Sequence, residues 1–193
     1  MLKDLILKNR SYRGYDESFV ISRDVLETLV DFARLSPASR NIQPLKFFLS
    51  NDKETNAKIQ RHTIWARNLP ELKLPHEGQY PTAFIVICFD STVEQNAAQF
   101  SKDVGIAAQS MLLGAAEMGL GGIMIGSFSK EAIIKELSLA DNLEPQLVVA
   151  LGKPVETVVL TELPKDGKTA YFRDENDVHY VPKRALKDII VNH

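Results

Sequence analysis

The chain has 193 residues, 45% hydrophobic and 25% charged, with a formal net charge of −2. That suits one globular domain spanning 1–193, long enough to bury an apolar core. The charge offers no overall attraction for nucleic acid or an anionic membrane, and no run is long enough to cross a bilayer, so neither is expected as a partner.

The first residues, MLKDLILK, hold too short an apolar stretch for a secretory signal, so a cytoplasmic protein is expected. Residues 2–8 read as a short helix. NRSYRGY at 9–15 then concentrates Arg10, Ser11 and Arg13 beside Tyr12 and Tyr15. Ser22 caps the next helix, whose apolar residues Val25, Leu26, Leu29, Val30 and Ala33 recur at helical period until Pro37.

SPASRNIQP follows at 36–44, a stiff and very polar connection between that helix and a strand at 45–50. A helix is expected over 53–67. Residues 68–81, with three prolines and a glycine, form a long irregular loop of the kind that usually carries function. AFIVICF at 83–89 is a strand buried on both faces. Residues 95–119 read as one long helix with small residues on nearly every side, buried throughout. GLGGIMIGSF leads into a short strand, Ser129 caps a helix to 137, and 146–151 is a second core strand. Residues 161–182 are a polar arm that makes sense packed on something, such as a second subunit, and a short helix is expected at 183–191. The order is not a strict βαβα alternation, which predicts an α+β domain with an apolar sheet covered by helices.

No catalytic acid, nucleophile or metal cluster emerges. The four histidines, His62, His76, His179 and His193, share no ligand spacing, and the one cysteine, Cys88, lies in a core strand. GLGGIMIG is not a dinucleotide fingerprint, because Met124 stands where the third glycine belongs and a helix precedes it. What remains is basic: Arg10 and Arg13, with Lys183 and Arg184 near the end, either a solvated face or an anion site. His179 reads as a structural histidine without a charged partner, and Trp65 as either a lid residue or a core anchor.

NRSYRGY, SPASRNIQP, MGLGGIMIGSF, VVALGKP and HYVPKRAL, in that order, together resemble the FMN-dependent nitroreductase family. The resemblance implies a central, mostly antiparallel sheet flanked by helices, and a homodimer with the C-terminal arm packed on the partner. It also implies FMN as cofactor and NADH or NADPH as electron donor. By resemblance, Arg10, Ser11 and Arg13 hold the FMN phosphate, ribityl chain and pyrimidine edge. Pro37, Ala38, Ser39, Asn41 and Gln43 form a clasp laid over the flavin by the second subunit. Met124, Ile125, Gly126 and Ser127 line the reactive N5, with the Gly126 N–H as donor, and Lys183 and Arg184 stand near the phosphate. A cation such as Arg13 beside N1 and O2 would favour the two-electron reduced ring. The chemistry implied is ping-pong hydride transfer to nitroaromatics, quinones or related electron-poor acceptors. The alternatives are a specialised flavin dehydrogenase or enone reductase on the same fold, a non-catalytic FMN-binding or sensor protein, and a flavin-free interaction domain.

Overall fold

The computed structural model describes residues 1–192. His193, one of the four histidines weighed above as a metal ligand, lies outside the described residues. The chain runs α1 (Leu2–Lys8), α2 (Arg23–Leu35), β1 (Leu45–Ser50), α3 (Lys53–Gln60), β2 (Ala83–Asp90), α4 (Ser101–Glu117), β3 (Gly121–Ile125), α5 (Lys130–Leu137) and β4 (Leu143–Gly152). An arm then carries β5 (Val158–Glu162), β6 (Phe172–Arg173) and β7 (His179–Lys183).

The main sheet is wholly antiparallel, in the order β1-β2-β4-β3. Alternation along β2 divides the core in two. Ile85 and Ile87 face α2 and α4, where Leu26, Leu29, Met111 and Ala115 complete one layer. Phe84, Val86 and Cys88 face the opposite way, against Ile59 of α3 and Ile133 of α5. Both faces are dry, so all eight residues of β2 are buried, and the continuous apolar run follows from that.

Three expected elements differ. The helix after β1 stops at Gln60, not Arg67, because Thr63 bridges to Phe128 and the Ile64 N–H donates to the Ser127 carbonyl (2.8 Å). Ala97–Phe100 is a 3₁₀ turn whose Phe100 packs on Phe89, and the α-helix proper begins at Ser101. Residues 183–191 are not a helix. Lys183 completes β7, which pairs in parallel with β5 and antiparallel with β6, and only Leu186–Asp188 makes a 3₁₀ turn. The long helix also buries one side rather than all sides: Lys102, Gly105, Ile106 and Gln109 are exposed. No described helix is long and apolar enough to cross a membrane.

Candidate active site

The segment that carries Arg10 and Arg13 runs along the open edge of β3. Ser11 bridges in parallel to Gly122, and the Tyr12 N–H donates to the Gly122 carbonyl (3.2 Å). The approach is close because β3 and β4 offer glycines there. A Cβ at Gly121 would lie 2.4 Å from the Tyr12 ring and 2.5 Å from Pro154, and one at Gly152 would lie 2.6 Å from the Tyr15 ring. Tyr15 is fully buried and donates to the Tyr12 carbonyl (2.7 Å). Both tyrosines are therefore packing residues that fasten the arginine segment to the sheet.

Arg13 is buried, at 6% exposure. Its Nη1 donates to the Ser11 carbonyl (3.1 Å) and approaches His179 Nε2 (3.3 Å), and its guanidinium lies over the Tyr171 ring, 4.7 Å from the centroid. A guanidinium can only donate, so Nε2 accepts and carries no proton. Burial, with Arg13 and Arg173 nearby, lowers the His179 pKa to about 4. His179 thus has the charged neighbour that the sequence did not reveal.

The Arg13 main-chain N–H donates to Glu156, whose other oxygen pairs with Arg173. The side chains of that pair are 3% and 4% exposed. Arg173 also reaches Asp177 (2.8 Å), and Asp177 reaches His76 (3.1 Å). Tyr171 joins Ala66, Leu69, Leu72 and Leu74 in a small apolar cluster. The arm and the 68–81 loop therefore form one body packed beside Arg13. Trp65 donates to Thr63 (2.8 Å) and packs against the second core layer, so it is an anchor. Glu156, Tyr171 and Arg173 belong to no motif that spacing alone reveals.

Among the described residues no carboxylate lies within ion-pair reach of the Arg13 guanidinium, and Glu156 meets only its backbone. Burial lowers its pKa. The buried Nε atoms of Arg10 and Arg13 have no partner, and Arg10 Nη2 donates to the Ile6 carbonyl at the end of α1 (2.5 Å). Cations held in this way attract an anionic or electron-rich ligand, and unpaired buried donors ask for an acceptor.

At the end of β3 and just past it, Met124 and Gly126 are exposed and Ser127 is half-buried, whereas Ile125 is 4% exposed in the core and offers only backbone. A Cβ at Gly126 would meet nothing within 4 Å. Lys183 and Arg184 are exposed at the end of β7. The arginine segment thus meets β3 at Gly122, and the backbone at 124–127 belongs to the far end of the same strand and the residues after it.

The clasp residues lie elsewhere. Pro37, Asn41 and Gln43 are exposed and Ala38 and Ser39 half-buried, just before β1, the opposite edge strand from β3. Three strand spacings, about 14 Å, separate the two edges. Asp103, in the first turn of α4, accepts from the Ser39 N–H (2.9 Å) and the Ser39 hydroxyl (2.5 Å). Ser36 meets Ser110 through their hydroxyls (2.7 Å).

The Nitroreductase family model matches residues 6–153. The chain is 25% identical over 184 residues to an oxygen-insensitive NADPH nitroreductase of Helicobacter pylori, covering 79% of this chain and 87% of that protein. Among solved structures, a nitroreductase family protein of Streptococcus pneumoniae superposes with a TM-score of 0.70 at 18% identity, covering 86% of this chain and 97% of that one. An FMN-dependent nitroreductase of Clostridium difficile R20291 gives 0.63 at 22% identity, over 79% and 87%.

Proposed function

The chain belongs to the nitroreductase family, and on that premise we propose that it is an FMN-dependent NAD(P)H oxidoreductase that works as a homodimer. FMN, when bound, supplies the redox chemistry: hydride from NADH or NADPH, then transfer to a nitroaromatic, quinone or related electron-poor acceptor in a ping-pong cycle. The chain's own residues bind, orient and tune it.

Arg10, Ser11, Lys183 and Arg184 take the phosphate and ribityl chain with guanidinium, hydroxyl and ammonium donors. Arg13 presents a cation to the pyrimidine edge, where negative charge grows on reduction, in a site dry enough for that charge to count. Gly126 offers its N–H at the reactive nitrogen, and the lack of a side chain there keeps the ring face open. Met124 and Ser127 flank it, while Ile125 fixes the strand from within. Pro37, Ala38, Ser39, Asn41 and Gln43 come from the second copy, since one chain holds its clasp and its arginines on opposite sheet edges. The exposed strip of α4 at Lys102, Gly105 and Ile106 gives that copy a surface on which to pack. We place the protein in the cytoplasm, whose reducing conditions suit a chain with the single cysteine Cys88.

The observation that carries this reading is Arg13: a buried cation with, among the described residues, no carboxylate on its guanidinium and no partner for its Nε. Purified protein should be yellow, release FMN and not FAD on denaturation, and lose its visible absorbance on anaerobic addition of NADH or NADPH. A colourless protein that takes up no added FMN would overturn the cofactor. Bound FMN that neither nicotinamide reduces would keep the binding and remove the activity, which is the sensor reading.

A further inference from the structure

Residues 36–44 adopt a conformation that their own sequence does not favour. Arg40, Asn41 and Gln43 have φ of 53°, 54° and 57°, left-handed values that asparagine tolerates but arginine and glutamine avoid. Something must hold them, and one group stands out. Asp103 is 4% exposed and gives one oxygen to the Ser39 N–H and the other to the Ser39 hydroxyl. Among the described residues it has no ion-pair partner. Its place in the first turn of α4 sets it against the positive end of that helix. A carboxylate costs free energy to bury and is worth having there only if both oxygens are used. Both are used on one residue, Ser39, at the start of the left-handed stretch. Asn41 and Gln43 are left exposed.

Resting on the reading of this loop as part of a flavin site, we propose that Asp103 is a positioning residue that acts across the dimer: in one copy it sets the shape of the clasp that closes the FMN site of the other. The trans direction follows from the sheet. The clasp enters β1 and the arginine segment lines β3, the two outermost strands, so Asp103 serves a site that its own chain does not contain whole.

The test uses two differently tagged chains, one Asp103→Ala and one Arg10→Ala, produced together. The mixed dimer is isolated on both tags and titrated with FMN by flavin fluorescence. Acting in trans, the two substitutions fall on the same site, leaving the other intact. Half of the sites should bind as in the wild type and the other half about 100-fold or more weaker, since each substitution removes charged hydrogen bonds. Weakening of both sites, with none left at wild-type affinity, would show Asp103 acting within its own chain and would overturn the proposal. So would an Asp103→Ala homodimer with unchanged FMN affinity, where about tenfold loss is expected. Should Asp103→Ala fail to give a folded dimer by circular dichroism and light scattering, Asp103→Asn keeps the shape and one acceptor, and the mixed dimer must show the same partition with a smaller loss. Failure of the wild-type protein to take up FMN would be seen before any variant and would strike the cofactor reading itself.

Discussion

A buried imidazole is a weak base, the more so beside a guanidinium, and His179 is so placed, 1% exposed with Arg13 Nη1 at 3.3 Å. Its pKa of about 4 when folded lies well below the ordinary 6.5. Between those values the unfolded chain binds a proton that the folded chain refuses, so stability falls as pH drops through that window and levels off below it. The loss amounts to roughly 3 kcal/mol. His179→Gln keeps an acceptor for Arg13 and removes the titration. Urea midpoints measured from pH 7 to pH 4 should fall steeply in the wild type and less in the variant; parallel curves would mean that His179 does not carry the effect. On the ligand side, Arg10→Ala should weaken FMN binding by about 1.5–3 kcal/mol, read by fluorescence titration, because it removes a charged donor whose Nε has no partner among the described residues. NRSYRGY stands out in the sequence as a basic stretch, yet its spacing leaves a solvated face and an anion site both open; that Arg13 is buried appears only in the fold. Glu156 and Asp103 do not stand out. Each is a single carboxylate whose meaning depends on a partner far away in sequence, Arg173 or Ser39, that only folding brings near.

Elements show the same division between local and distant causes. β2 could be read from its own residues, since an unbroken apolar run must be dry on both faces, and α2 from its Ser22 cap and helical period. The end of α3 could not, because nothing local to 61–67 announces a bridge to Phe128. Nor could β7, whose partner β5 is reached only by the return of the arm. Two glycines on neighbouring segments test what β3 is for. Gly121→Ala would drive a methyl into Tyr12 and Pro154, overpacking worth about 1–3 kcal/mol, and its thermal midpoint should drop. Gly126→Ala meets open space, so its midpoint should hold, yet its FMN affinity and nicotinamide-driven turnover should fall, because the methyl would stand where we propose the ring to lie. Equal stability loss in the two, or full activity in Gly126→Ala, would remove the stretch after β3 from the site.

At the scale of the whole molecule, apolar surface is left open at both ends of the chain. Leu2 and Leu7 of α1 are 64% and 50% exposed, and beyond β7 the figures are 70% for Leu186, 60% for Ile189 and 99% for Val191. A short tail with that much uncovered hydrocarbon is costly in water unless something covers it. The arm before it is fixed to its own chain, with Tyr171 and His179 on Arg13 and Arg173 on Glu156, so the tail starts from a firm base at Lys183 and Arg184. We take the cover to be a second copy, which also unites each clasp with the other chain's arginines. A chain shortened to end at Ala185 keeps the sheet, both core layers and the Arg13 corner, so its circular dichroism should match the full chain. It should run as a monomer in light scattering and bind FMN at least tenfold more weakly, because a monomer has arginines without a clasp. A shortened chain that stays dimeric and yellow would take the tail out of the seam and leave it to the exposed strip of α4. A monomer that still holds FMN tightly would mean that one chain suffices, and the division of the site between two copies would be wrong.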